Sequence, residues 1–154
     1  MGETQFHHVL QKCHERANCV MLNPEEKKAL ITYRRQRAWE VLNESKEIAK
    51  LKFWNLMGNR LYYAVFHMGT ALLLDRDLSS KTHSGLIHLL GSQFISVGLL
   101  DKSYGRLISR LYELRQSGDY DDMFDATEQE VLPYFEKVES LLHEMEALIS
   151  EENK

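Results

Sequence analysis

The sequence predicts an all-α protein, a single helical bundle of about five helices. Three observations carry that reading. Apolar residues recur at intervals of three and four along most of the 154 residues, the alternation of a half-buried strand is absent, and only 8 Gly and 2 Pro interrupt the pattern. A hydrophobic content of 44% at this length suits one domain with its own core and excludes wholesale disorder.

Residues 1–22 read as an N-terminal extension ahead of a helical domain at 23–150, with Met21 a second candidate start. The extension gathers His7, His8, Cys13, His14 and Cys19, without the CxxC or HExxH spacing of a metal site. Free thiols in a reducing compartment are the plainer reading, and neither metal nor cofactor is expected. No apolar signal core is present and no stretch is apolar for long enough to span a bilayer, so the expected location is the cytoplasm, without membrane attachment.

Asn23-Pro24-Glu25-Glu26 is a helix start: Asn as N-cap, Pro at the first helical position, Glu at the third. The helix runs to about Ile48 with Leu30, Ala38, Val41, Leu42 and Ile48 inward. A second spans about Lys52 to Leu74, and the loop Asp75 to Lys81 leads to a third, about Thr82 to Val97, closed by Gly98. Asp101 caps a fourth, carrying Leu107, Ile108, Leu111 and Leu114 and ended by Gly118. After an acidic loop, Asp119 to Asp125, Thr127 and Glu130 form a capping-box pattern. Pro133 then demands a kink or a new start. Beyond it, Val131, Phe135, Val138, Leu142, Met145 and Ile149 make the last apolar stripe.

Charge is unevenly spread. The net value is −4, yet residues 21–60 carry nine Lys/Arg against five Asp/Glu, and residues 112–154 carry three against thirteen. Such asymmetry attracts a polyanion to one end or pairs two subunits, although each lysine singly reads as solvated surface.

The second helix carries two stripes: Trp54, Gly58, Leu61, Val65, Met68 and Leu72 on one, and Arg60, Ala64, His67 and Ala71 on another. Arg60 and His67 are seven residues apart, hence on one face and about 10 Å apart along the axis. A fixed cation beside a group titrating near neutrality, with small Ala64 as an open floor, suits a phosphate-bearing ligand. A helix apolar nearly all round is buried on more than one side, and Ala64 and Ala71 would let the backbone of a second subunit approach. The plainer alternative is structural: Arg60 pairs with an acid and His67 bonds a backbone carbonyl.

The run Asn59-Arg60-Leu61-Tyr62-Tyr63-Ala64-Val65-Phe66-His67 resembles the signature of HEPN-domain proteins, in the branch of small stand-alone bacterial and archaeal members. Further matches follow in order: Lys81-Thr82-His83-Ser84-Gly85, then Arg115 with Gly118-Asp119-Tyr120-Asp121. The resemblance spans about Asn23 to Ile149. It implies a helical bundle that dimerises and a motif of Arg-x(4–6)-His, here Arg60 and His67. In active members these residues meet across the dimer and cleave RNA without metal. The chemistry is self-consistent: an imidazole serves as base or acid for attack by the 2′-OH, and an arginine holds the scissile phosphate.

Asn59 is a candidate to position Arg60 or the phosphate, and Tyr63, one turn from both motif residues, to stack a base or bond a phosphate. His83 is expected to organise a helix start, and Arg115 to pair locally with Asp119. One departure concerns control. Toxin members regulated by a nucleotidyltransferase antitoxin often carry a modifiable Tyr two residues after the motif His, and here that position is Gly69. The expected function is therefore a dimeric, metal-independent endoribonuclease of toxin or defence type. The alternative is a non-catalytic helical module that binds nucleotide, RNA or a partner nucleotidyltransferase. A metal-dependent bundle enzyme ranks below both, since no di-iron Glu-x-x-His pair occurs.

Overall fold

The computed structural model describes residues 22–120 and 126–154, all helix, turn or loop with no strand among them. Residues 1–21, with the His and Cys group, and most of the acidic segment Asp119–Asp125 lie outside that range. Helix α1 spans Pro24–Lys50, α2 Trp54–Asp75, α3 His83–Leu90, α4 Ser103–Tyr120, the single turn α5 Glu128–Val131, and α6 Tyr134–Leu148. No helix of the described residues is long and apolar enough to cross a membrane.

The predicted caps are present. Asn23 Oδ1 accepts from Glu26 N (2.8 Å) while the Glu26 carboxylate accepts from Asn23 N, closing a capping box. A cap of this kind contributes about 1 kcal/mol. Thr127 caps α5 by accepting from Glu130 N. The reciprocal half of that box is diverted, because the Glu130 carboxylate accepts instead from Arg110 Nε at 2.5 Å. Pro133 breaks the helix as its ring requires, and α6 starts at Tyr134. Two boundaries differ from expectation. The backbone of α4 continues past Gly118 to Tyr120, and α3 ends at Leu90 and passes through a π-helical turn, Gly91–Ile95, before Gly98 turns the chain at φ +82°.

Helices α1 and α2 form an antiparallel hairpin over the tight turn at Leu51–Phe53, where Lys52 adopts φ 59°. Three cross-links keep a constant register along it: Lys27 with Asp77 (2.9 Å), Arg34 with His67 (3.0 Å) and Glu44 with Arg60 (3.5 Å). Helix α2 is the hub, packed against α1, α3, α4, α5 and α6. This is why its sequence is apolar on more than one side. Leu61, Val65, Met68 and Leu72 are buried, and so are Ala64 and Ala71, each with 0% exposure within a single chain.

That burial corrects one expectation. The hairpin register sets Ala38 of α1, itself fully buried, level with Ala64. The small residues of α2 thus admit the close approach of the chain's own first helix. The floor between Arg60 and His67 is filled from within, and Ala64 and Ala71 are no argument for a second subunit.

Candidate functional site

The antiparallel hairpin brings the basic residues of α1 against the motif face of α2. Arg34 Nη1 lies 3.0 Å from His67 Nδ1. A guanidinium only donates, so Nδ1 accepts and the imidazole proton resides on Nε2. Burial and the nearby charges of Arg34, Arg37 and Arg60 lower the pKa of His67 from 6.5 to about 3. The imidazole is therefore neutral at physiological pH, with three fixed cations acting on it. The expected backbone carbonyl is not its partner; a guanidinium is.

Arg60 is held from two sides. Asn59 Oδ1 accepts from its Nε (3.3 Å) and Nη2 (3.0 Å), and Glu44 Oε2 lies 3.5 Å from Nη1. Glu44 also takes Arg37 Nη1 at 3.0 Å, and Arg37 reaches Glu40 at 3.1 Å. The plainer reading of Arg60, an ion pair with an acid, is thus geometrically present. Glu44 nevertheless serves two arginines at once, so its charge is divided between Arg37 and Arg60. The Arg60 guanidinium also sits 5.1 Å from the centroid of the Tyr63 ring, a cation–π distance.

Tyr63 links this cluster to a second one. Its hydroxyl accepts from Arg115 Nε at 3.1 Å, and Arg115 lies over the rings of Tyr62 and Tyr63. The Asp119 side chain, the expected local partner of Arg115, lies outside the described residues. Tyr62, 1% exposed, shares a hydrogen bond of 2.7 Å with His83 Nδ1. Burial pushes the phenol pKa well up, so it stays neutral and keeps a proton to donate. Burial and Arg115 hold His83 below its ordinary value. Phe66 lies between the two histidines, its centroid 5.6 Å from His67 and 4.9 Å from His83.

The Thr82-His83-Ser84-Gly85 motif is built to place that histidine. Thr82 caps α3 by accepting from Gly85 N at 3.0 Å, which sets His83 as the first helical residue. A Cβ on Gly85 would stand 2.1 Å from Ser80 Oγ and 2.8 Å from Thr82 Oγ1, so only glycine fits. Gly69 is constrained too: a Cβ there would lie 3.0 Å from Leu90 Cδ1. That position faces α3, where any side chain would press on the end of Leu90.

Arg34, Arg37, Glu44, Tyr62 and Phe66 join the predicted Asn59, Arg60, Tyr63 and His67. Arg34 and Arg37 were visible only as part of the basic segment. Their inward role depends on the hairpin register, which a single-helix pattern does not contain. Among the described residues no three His, Cys, Asp or Glu side chains converge as a metal site.

The comparisons with known proteins agree with this architecture. Residues 31–148 match the HEPN domain. A UPF0332 protein of Thermotoga maritima is 35% identical over 82% of this chain and 96% of its own length. A protein of Methanocaldococcus jannaschii named "Putative toxin MJ0605" is 35% identical over 71% of this chain and 79% of its own length. A UPF0332 protein of Archaeoglobus fulgidus is 32% identical over 55% of this chain and 67% of its own. With three quarters of the chain inside the match, and the Arg60–His67 face on the bundle's central helix, the chain belongs to the HEPN-domain family.

Proposed function

We propose that this protein is a metal-independent endoribonuclease of toxin type, cytoplasmic and active as a homodimer, in which Arg60 and His67 act on the scissile phosphodiester. The observation that supports this reading best is Arg34 bound to a neutral His67 imidazole, with the charges of Arg37 and Arg60 near enough to oppose its protonation. Three guanidinium groups beside two carboxylates, Glu40 and Glu44, offer an anion site, and arginine suits phosphate through its planar fork. An incoming phosphodiester adds negative charge beside His67. That charge opposes the arginines, draws Arg34 off His67 Nδ1 and raises the imidazole pKa towards the range in which the freed Nδ1 accepts a proton from a 2′-OH. Arg60, aligned by Asn59, then stabilises the charge that develops on the phosphoryl oxygens. DNA, lacking the 2′-OH, is expected to resist.

The decisive experiment incubates RNA in EDTA with wild type, Arg60→Ala and His67→Ala. Cleavage that leaves 2′,3′-cyclic phosphate ends, lost by at least 100-fold in either variant, is the expected result. Unchanged cleavage by His67→Ala would sink the assignment.

A second reading has its own observation. Arg34 occupies His67 Nδ1, and an imidazole with a pKa near 3 is a poor base as it stands. On that basis the protein is a non-catalytic module that binds RNA, a nucleotide or a partner nucleotidyltransferase. The same experiment separates the two, since a module binds without turnover and Arg60→Ala weakens binding while His67→Ala changes little. The relatives named as putative toxins favour the first reading.

A further inference from the structure

We infer that Tyr63, His83 and Arg115 form a platform, with the His83 ring edge-on to Tyr63 at 85°, that receives an unpaired nucleobase of a single-stranded RNA whose phosphate rests on Arg60. This rests on the RNA reading above and adds to it a second contact surface, on residues outside the Arg60–His67 pair.

Four observations converge. First, Tyr63 is shared: Arg60 lies 5.1 Å from its ring centroid and Arg115 5.7 Å, while Arg115 Nε donates to its hydroxyl at 3.1 Å. The phosphate-type cluster and the aromatic cluster are therefore contiguous through one side chain. Second, the rings are already fixed. His83 is held by Tyr62 at 2.7 Å, lies 4.9 Å from Phe66, and is nearly parallel to Tyr112 at 24°. Receiving a base then costs little ordering of side chains, which is what a stacking site requires. Third, Tyr63, His83, Tyr112 and Arg115 are only partly buried, so part of each side chain reaches solvent. Fourth, Arg115 meets no carboxylate among the described residues. Its contacts there are the Tyr63 hydroxyl and the rings of Tyr62 and Tyr63.

A cation beside aromatic rings at a half-exposed position is a suitable way to bind a base. Single-stranded RNA is recognised by stacking on aromatic side chains and arginine planes, with the backbone held by charge. A duplex offers no splayed base to such a surface. The overall charge of −4 also favours a short strand held at a few points over long duplex binding.

The test uses short 2′-O-methyl RNA, which lacks the nucleophile and cannot be cleaved, with binding read by fluorescence anisotropy. One abasic residue is walked along the strand against the wild-type protein, and the scan is repeated with Arg115→Met. At one position the abasic substitution is expected to weaken binding about ten-fold, the range of a single base–aromatic stack. Arg115→Met should cost a similar factor, and the two together should cost little more than either alone. A flat abasic scan against wild type overturns the platform without involving any variant's folding. If Arg60→Ala still weakens that binding, the RNA reading survives the loss. Absence of any 2′-O-methyl RNA binding by wild type overturns the RNA reading and the platform with it.

Discussion

A histidine that ends up neutral among arginines carries a thermodynamic signature. His67 titrates at 6.5 when unfolded and at about 3 when folded. Between those values the unfolded chain binds more protons than the folded one, so stability rises with pH across that window. The contribution is fully present above pH 6.5 and is lost as pH falls towards 3. His67→Gln keeps an acceptor for Arg34 but does not titrate. In urea unfolding at pH 7.5 and pH 4.5, the wild type is expected to lose more stability than the variant, by on the order of 2 kcal/mol after screening. Equal losses would mean that His67 protonates freely in the folded protein. The motif pair itself was legible in the sequence, because two polar residues on one apolar helix face are conspicuous. Arg34 was not. Its role follows from which turn of α1 faces His67, a matter of tertiary register.

At the scale of elements, the end of α2 performs a task that its sequence conceals. Asp75 was expected to open a loop; it is instead the last helical residue, its side chain 1% exposed. It accepts from Ser150 Oγ (2.5 Å), Ser150 N (3.2 Å) and Asn153 Nδ2 (2.7 Å), and Arg76 lies 3.7 Å away. Burial alone would raise its pKa, but the hydrogen bonds from Ser150 and Asn153 outweigh that and hold it below the ordinary value. The carboxylate thus ties the chain's last turn to the hub helix. Asp75→Ala strands these donors and is expected to cost about 2–4 kcal/mol, seen as a melting temperature lowered by about 5–10 °C. A shift below 1 °C would mean that solvent replaces the clamp at no cost. The helices and caps were readable because Asn23, Thr127 and Pro133 act through their immediate neighbours. The Asp75 clamp joins residues 75 apart, and no local pattern announces it.

For the whole molecule, the proposed homodimer raises the question of where a second copy would seat. Ala64 and Ala71 are spent on the α1–α2 hairpin, so support for a dimer has to come from elsewhere. Leu56, Arg60, Tyr63 and His67 are spaced four, three and four apart and share one face of α2. Leu56 is 46% exposed, and Phe53, just before it, 58%. An apolar rim beside half-exposed functional groups is what a two-fold axis near Arg60 would cover. Two linked measurements check this. Leu56→Asp is expected to convert a dimer to a monomer in sedimentation at micromolar protein and to abolish RNA cleavage while leaving the helical spectrum intact. Arg60→Ala and His67→Ala, each inactive alone, should regain part of the wild-type rate when unfolded together and refolded as a mixture. Only the mixed dimer then holds one intact arginine and one intact histidine. Recovery requires that the two chains contribute to a common site, because separate sites would each still lack a residue. If heterodimers form and stay inactive, while the wild-type dimer cleaves, each chain carries its own complete site and the shared one is wrong.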